Sequence, residues 1–202
     1  MTNITKDIID RITTKQQGWV FSPKDFLDLG SRAAIDKVIS RLTQKGFIRK
    51  ISRGIYDYPK INSHIGAISP NMDDLAKVVA SKTGDRIFYS GAMATNLLGL
   101  STQVPMKIVY STTGKSCVKK IGNNNIIFKH TRIPIFDNLP LPANLALQSM
   151  AYLGKKAIDN DLIHQYAQKL SDNDKLSITK AIPFIPAWMS DIIHKIQSSA
   201  NG

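Results

Sequence analysis

Glutamate is missing from this chain: all 15 acidic residues are aspartate, set against 27 lysines and arginines for a net charge of +12. Nothing in the sequence accounts for that choice of acid. Cysteine is nearly absent too. Cys117 stands alone, which excludes an intramolecular disulfide and any multi-cysteine zinc site. No run of about 18 apolar residues occurs, so no membrane-spanning helix is expected. The amphipathic start, MTNITKDIIDRITTK, lacks the apolar centre and small-residue cleavage site of a secretory signal. These absences place the expected protein in the cytoplasm, with no membrane partner. A hydrophobic fraction of 43% over 202 residues is enough for one large or two small cores without metal or disulfide staples.

The surplus of positive charge is concentrated. Between Gly30 and Lys60 stand Arg32, Lys37, Arg41, Lys45, Arg49, Lys50, Arg53 and Lys60. Only Asp36 and Asp57 oppose them, so this stretch carries +6 of the +12. Clustered charge of this kind is what a phosphate backbone attracts. The same region, Ser22 to Pro59, has a readable order. Ser22 with Pro23 starts a short helix, whose apolar side is Phe26, Leu27 and Leu29. Gly30 closes it, and Ser31 caps a longer helix from Arg32 to Lys45. Ala34, Ile35, Val38 and Leu42 fall on one side of that helix, leaving Arg32, Asp36, Lys37, Ser40, Arg41 and Gln44 outside. Gly46 stops the helix. A strand (47–51), a turn at Ser52-Arg53-Gly54 and a return strand (55–58) follow. With a helix over residues 4–14 and a short strand at Trp19-Val20-Phe21, this is the order of a winged helix-turn-helix.

Such a module puts one helix in the major groove, with the N-terminal end of that helix at the base edges. Arg32, Ala33, Asp36 and Lys37 hold those positions and are the expected readers of bases. Ser22, Lys24, Arg41, Lys45, Arg49 and Lys50 are expected on phosphate, with Arg53 at the wing tip near a minor groove. The plainer alternative is a protein-docking module whose basic face is simply solvated.

Residues 61–71, with Gly66 and Pro70, read as a linker between a 1–60 domain and a second domain at 72–202. That second domain opens with helices near 73–82 and 91–98. Three strand-like segments follow, 106–112, 116–121 and 126–131, separated by turns at Thr113-Gly114-Lys115 and Gly122-Asn123-Asn124. They predict an antiparallel meander. Helices at 143–153, 159–170, 172–180 and 188–197 complete the chain, so the expected fold class is α+β. Lys115, Lys119, Lys120, Lys129 and Arg132 form a second basic set on the meander. It is either a solvated sheet face or a second nucleic-acid contact.

Signals for catalysis are weak. Gly114-Lys115-Ser116 ends like a phosphate-binding loop, but Val109 stands where the motif needs glycine and a strand follows where it needs a helix. His64, His130, His164 and His194 are scattered, without the spacing of metal ligands. Cys117 has no local base. No catalytic residue, metal or cofactor is assigned, and the chain is read as a non-enzyme; a nucleic-acid enzyme anchored by the winged helix is the remotest alternative.

Four segments carry a resemblance: FSPKDFLDLGSRAAIDKVISRL, RGIYDYPKIN, SGAMATNLLGLSTQVPMKIVYST and the late PAWM. Together they resemble the AbiEi-type antitoxins, over about residues 21–193. The resemblance implies a winged helix joined to a family-specific C-terminal domain, with Arg32, Ala33, Asp36 and Lys37 on the recognition helix and Arg53 to Tyr56 in the wing. It further implies a transcriptional repressor bound to double-stranded operator repeats of its own operon. A nucleotidyltransferase-like toxin would be its genetic partner, without a stable complex. The competing reading is a protein- or ligand-interaction module with minor DNA contact.

Overall fold

A computed structural model describes residues 4–121 and 124–198. The chain divides into two compact units, Met1–Asp85 with Lys120–Asn124, and Arg86–Lys119 with Asn125–Gly202. The architecture is mixed α/β, with mainly antiparallel strand pairing and a helical C-terminal region. Among the described residues no helix is long and apolar enough to cross a membrane.

The first unit begins with α1 (Ile4–Thr14), β1 (Val20–Phe21) and a single 3-10 turn (Pro23–Phe26). Then come α2 (Arg32–Gln44), β2 (Arg49–Ser52) and β3 (Ile55–Asp57), with strand order β1-β3-β2. Helix α2 starts because Ser31 Oγ accepts from Ala34 N at 3.3 Å. It ends where Gly46 takes the left-handed φ of +70°. Ile35, Val38, Ile39 and Leu42 form its buried stripe, so Ile39 takes the place expected for Ala34, which is only half-buried. They pack on Ile8 and Ile12 of α1, on Phe21, Phe26 and Ile48. Each such side chain contributes about 1.5–3 kcal/mol of transfer free energy. Phe21 and Phe26 meet edge to face, 5.4 Å apart at 89°.

Residues 61–71 are structured as a small hairpin of β4 (Ile61–Asn62) with β5 (Gly66–Ala67). Helix α3 (Met72–Ser81) belongs with this first unit. The division therefore falls after Asp85 rather than in the glycine- and proline-bearing stretch. Backbone bonding explains it: Ile68 N donates to Lys60 O at 2.8 Å, and Ile68 O accepts from the Arg49 guanidinium at 2.8 Å.

The second unit opens with β6 (Ile87–Tyr89) and α4 (Gly91–Leu97). It then holds β7 (Ile108–Thr112) and most of β8 (Cys117–Ile121) and β9 (Asn124–His130). Strand order is β6-β7-β9-β8, with β6 antiparallel and β9 parallel to β7. The expected antiparallel meander is therefore corrected: β9 inserts between β7 and β8. Side-chain character gives the reason. Ile126 and Phe128 of β9 are buried, whereas Lys119 and Lys120 of β8 are exposed, and lysines suit an edge strand. The Gly122-Asn123 part of the expected turn lies outside the described residues.

Helices α5 (Leu141–Leu153), α6 (Asn160–Lys169), α7 (Asp172–Ile178) and α8 (Ala187–Ser198) complete the unit. Helix α5 is its centre: residues 143–150 are all buried, and α4 and α7 pack against it. A helix buried on every side carries no amphipathic stripe. Two of its buried polar members, Asn144 and Ser149, are paired inside. Ser149 Oγ lies 2.7 Å from Tyr166 OH and 2.9 Å from Thr95 Oγ1. Burial pushes the Tyr166 phenol up from 10.0 to about 12. The folded state thus favours neutral tyrosine. Its stabilising contribution is complete below pH 10.0 and is lost as pH rises to about 12, at roughly 1.4 kcal/mol per pH unit. Urea titrations across that window should show this slope, and Tyr166→Phe should flatten it; an unchanged slope would refute the assignment.

The missing glutamate has a visible local effect. Both capping carboxylates at the third helical position are aspartates, Asp25 accepting from Ser22 N at 2.7 Å and Asp174 from Ser171 N at 3.1 Å. The helical lysine–aspartate pairs, Lys77–Asp74 and Lys175–Asp172, are spaced i,i+3.

Candidate nucleic-acid interface

The outer face of α2 is continuous. Arg32, Ala33, Asp36, Lys37, Ser40, Arg41 and Gln44 line it, all of them exposed, with Lys45 just beyond the last turn. Three and four residues apart, they share one side of the helix because Ile35, Val38, Ile39 and Leu42 fix the other side to the core. Arg32 Nε lies 2.9 Å from both carboxylate oxygens of Asp36, one turn on. The pair is exposed, so its contribution to stability is about 0.3–0.5 kcal/mol. Its larger effect is to hold the guanidinium along the helix. Lys37, Arg41 and Lys45 make no ion pair among the described residues.

The β2–β3 hairpin turns at Arg53-Gly54, where Gly54 takes a φ of +70°. Arg53 and Lys50 are exposed. Lys82, which sequence reasoning missed, fastens this turn: its Nζ donates to Arg53 O at 2.9 Å. The Lys82 carbonyl in turn accepts from Lys24 Nζ at 2.8 Å. No local signal joins residues 24, 53 and 82; only the folded chain does.

Two expected phosphate ligands are held by other partners. Ser22 is 2% exposed and its hydroxyl donates to Asp25 Oδ2 at 3.1 Å, because an N-capping serine turns inward. Arg49 is directly opposite Asp57 in the hairpin and is held by it through Nη2–Oδ2 at 2.6 Å and Nε–Oδ1 at 3.1 Å. Asp57 is 1% exposed, and a buried carboxylate requires such a partner. The pairing raises the Arg49 pKa further. Lys24 is exposed but its ammonium is engaged by Lys82 O. Arg11 is engaged likewise, donating to both carboxylate oxygens of Asp28 at 2.7 and 2.6 Å. That contact lowers the Asp28 pKa and ties α1 to the segment after the 3-10 turn.

The second basic set falls into two groups. Lys115 precedes β8, Lys119 and Lys120 lie on it, and all three are exposed. Lys129 and Arg132 instead line a cleft with residues of α5 and α8. The Gly114-Lys115-Ser116 turn is bound by His130, whose Nδ1 lies 2.9 Å from Gly114 O and whose N donates to Ser116 Oγ at 2.9 Å. Strand β8 follows it, so the backbone amides of a phosphate loop are not presented.

No match is found among curated proteins. A family profile matches residues 7–178, which takes in most of both units and the whole of the α2 face. The chain belongs to that family, described as a family of unknown function (DUF6088).

Proposed function

We propose that residues 4–57 act as a winged helix-turn-helix, and that the protein is a cytoplasmic DNA-binding repressor serving as the antitoxin of a toxin–antitoxin operon. The observation that carries the DNA-binding part is the α2 face. Arg32, Ala33, Asp36 and Lys37 stand at its exposed N-terminal end, with Arg41 and Lys45 behind them and the Arg53 turn in the same unit. In this reading α2 enters the major groove. Arg32, pre-aligned by Asp36, presents its planar fork to a guanine edge, and Ala33 touches a thymine methyl. Lys37 reaches the base edges beside Arg32; Arg41, Lys45 and Lys50 neutralise phosphates, and Arg53 probes the neighbouring groove. Arg49 and Ser22 hold the module together instead of touching DNA. The antitoxin part rests on the resemblance to AbiEi-type antitoxins, which implies a nucleotidyltransferase-like toxin as genetic partner. No catalytic role is assigned to any residue.

Footprinting of the region upstream of the gene tests this directly. A protected inverted repeat is expected, with affinity falling steeply as salt rises. Arg32→Ala should remove about 1–3 kcal/mol of preference at one base position. Lys45→Ala should weaken all sequences alike and lower the salt slope by about 1. Absence of protection would overturn the repressor reading. Failure of the chain to relieve growth arrest by its neighbouring gene product would overturn the antitoxin one.

A further inference from the structure

The cleft in the second unit holds about 470 Å³, within the range of about 300–1,000 Å³ usual for small-ligand sites. Its lining mixes two kinds of group. Lys129 on β9 and Arg132 just after it are cations that reach solvent, and no carboxylate lines the cleft among the described residues. Tyr152 on α5 and Trp188 at the start of α8 are large aromatic rings. Gln148 lies one helical turn before Tyr152, on the same face of α5. It is 4% exposed, and its Nε2 has no hydrogen-bond partner among the described residues. Its Oε1 accepts from Thr131 Oγ1 at 3.5 Å. Gly91, also in the lining, brings α4 against α5 at this level.

A buried amide N–H without an acceptor is rare in folded proteins and calls for an explanation. Here it borders a cleft that already has two cations. All three groups donate hydrogen bonds, so the complementary ligand carries acceptors and negative charge. The rings add a preference for a planar partner. We infer that this cleft binds a nucleotide, with its phosphate on Lys129 and Arg132, its base beside Trp188 and Tyr152, and a base or phosphate acceptor on Gln148 Nε2. A free nucleoside monophosphate and one nucleotide of a single strand share this chemistry. The inference concerns the second unit and does not depend on DNA binding by the first.

Calorimetric titration of the full chain with AMP, GMP, CMP and UMP tests it. Inorganic phosphate, adenosine and a short single-stranded RNA serve as comparison ligands. At least one nucleotide should bind one site per chain with Kd below about 1 mM. Phosphate or adenosine alone should bind at least about tenfold more weakly, since each forfeits half the contacts. Lys129→Gln and Arg132→Gln should each cost about tenfold. Gln148→Met should also weaken binding while leaving the melting temperature unchanged or higher, because it removes the unpaired amide; this separates loss of ligand from loss of fold. Binding of the RNA without any mononucleotide would assign the site to a nucleotide within a strand if Lys129→Gln and Arg132→Gln weaken it about tenfold, and would overturn the inference if they leave it unchanged, since the α2 face also attracts phosphate. The inference is overturned if neither nucleotide nor RNA binds, if inorganic phosphate binds as tightly as the nucleotides, or if Gln148→Met binds unchanged.

Discussion

Replacing Gly91 with alanine is expected to cost the second unit about 3 kcal/mol, at the top of the range for overpacked cores. The position looks permissive in sequence, as the first residue of a short helix. In the fold, a Cβ there would overlap the Cβ of Tyr152 and lie 2.8 Å from the carbonyl oxygen of Gln148. Neither atom is the far end of a flexible side chain. One is the root of a side chain on α5 and the other is helix backbone, so relief requires α4 and α5 to move apart. Helix α5 is the centre of that core, and the disturbance spreads to the buried Thr95–Ser149–Tyr166 set. In urea or heat, the transition of the second unit should move down, by roughly 10–20 °C in Tm. A Tm within about 2 °C of the parent protein would show that the two helices are not in this close contact.

Arg49→Ala should produce a comparable loss in the first unit, for electrostatic reasons. Asp57 is 1% exposed, and its two oxygens face the Arg49 guanidinium at 2.6 and 3.1 Å. Removing the arginine strands a buried carboxylate. Breaking a fully buried pair costs about 3–5 kcal/mol; because the Arg49 side chain is one-third exposed, about 2–4 kcal/mol is expected here. Replacing both partners with apolar residues, Arg49→Met with Asp57→Leu, should recover most of the loss, since no charge is left unpaired. Urea midpoints of the two single variants and the double variant form the cycle. Equal midpoints for Arg49→Ala and the parent would refute the buried-pair account. The same variant warns against a shortcut: reduced DNA binding by Arg49→Ala would report a damaged hairpin, not a lost phosphate contact.

Legibility along the chain follows the physics of each element. Helix α2 is readable to within a residue because Ser31 and Gly46 mark its ends and an apolar stripe alternates with charge at helical spacing. The C-terminal helices are legible within about two residues for the same reason. The central position of α5 is not readable, because a fully buried helix has no polar face to give it orientation. Strand order fails for a different reason. The turn signals around β8 are local, whereas insertion of β9 beside β7 depends on which strand has more apolar surface to hide. That contrast, Ile126-Ile127-Phe128 against Val118-Lys119-Lys120, is present in the sequence and points to an edge role for β8. Among the candidate site residues, the outward direction of the α2 face is legible from its spacing alone. Arg49 and Ser22 mislead because charge and hydroxyl type say nothing about direction. Arg49 needs the hairpin register that puts Asp57 opposite it, and Ser22 needs the inward turn of its cap. Gln148 leaves no signal at all, since one glutamine in an apolar helix looks like a surface residue until the helix is surrounded.

The Lys24–Lys82–Arg53 chain of contacts has a consequence for dissecting the protein. Lys82 lies well beyond the last strand of the β1-β3-β2 sheet, yet its ammonium pins the hairpin turn and its carbonyl accepts from a residue in the first turn of the 3-10 segment. A fragment cut near residue 60 would keep every residue of the helix and hairpin but release the tip from its tether to Lys82. A cut that keeps this tether therefore falls beyond Lys82, and amide exchange at Arg53 and Gly54 should track opening of α3 rather than opening of the hairpin alone.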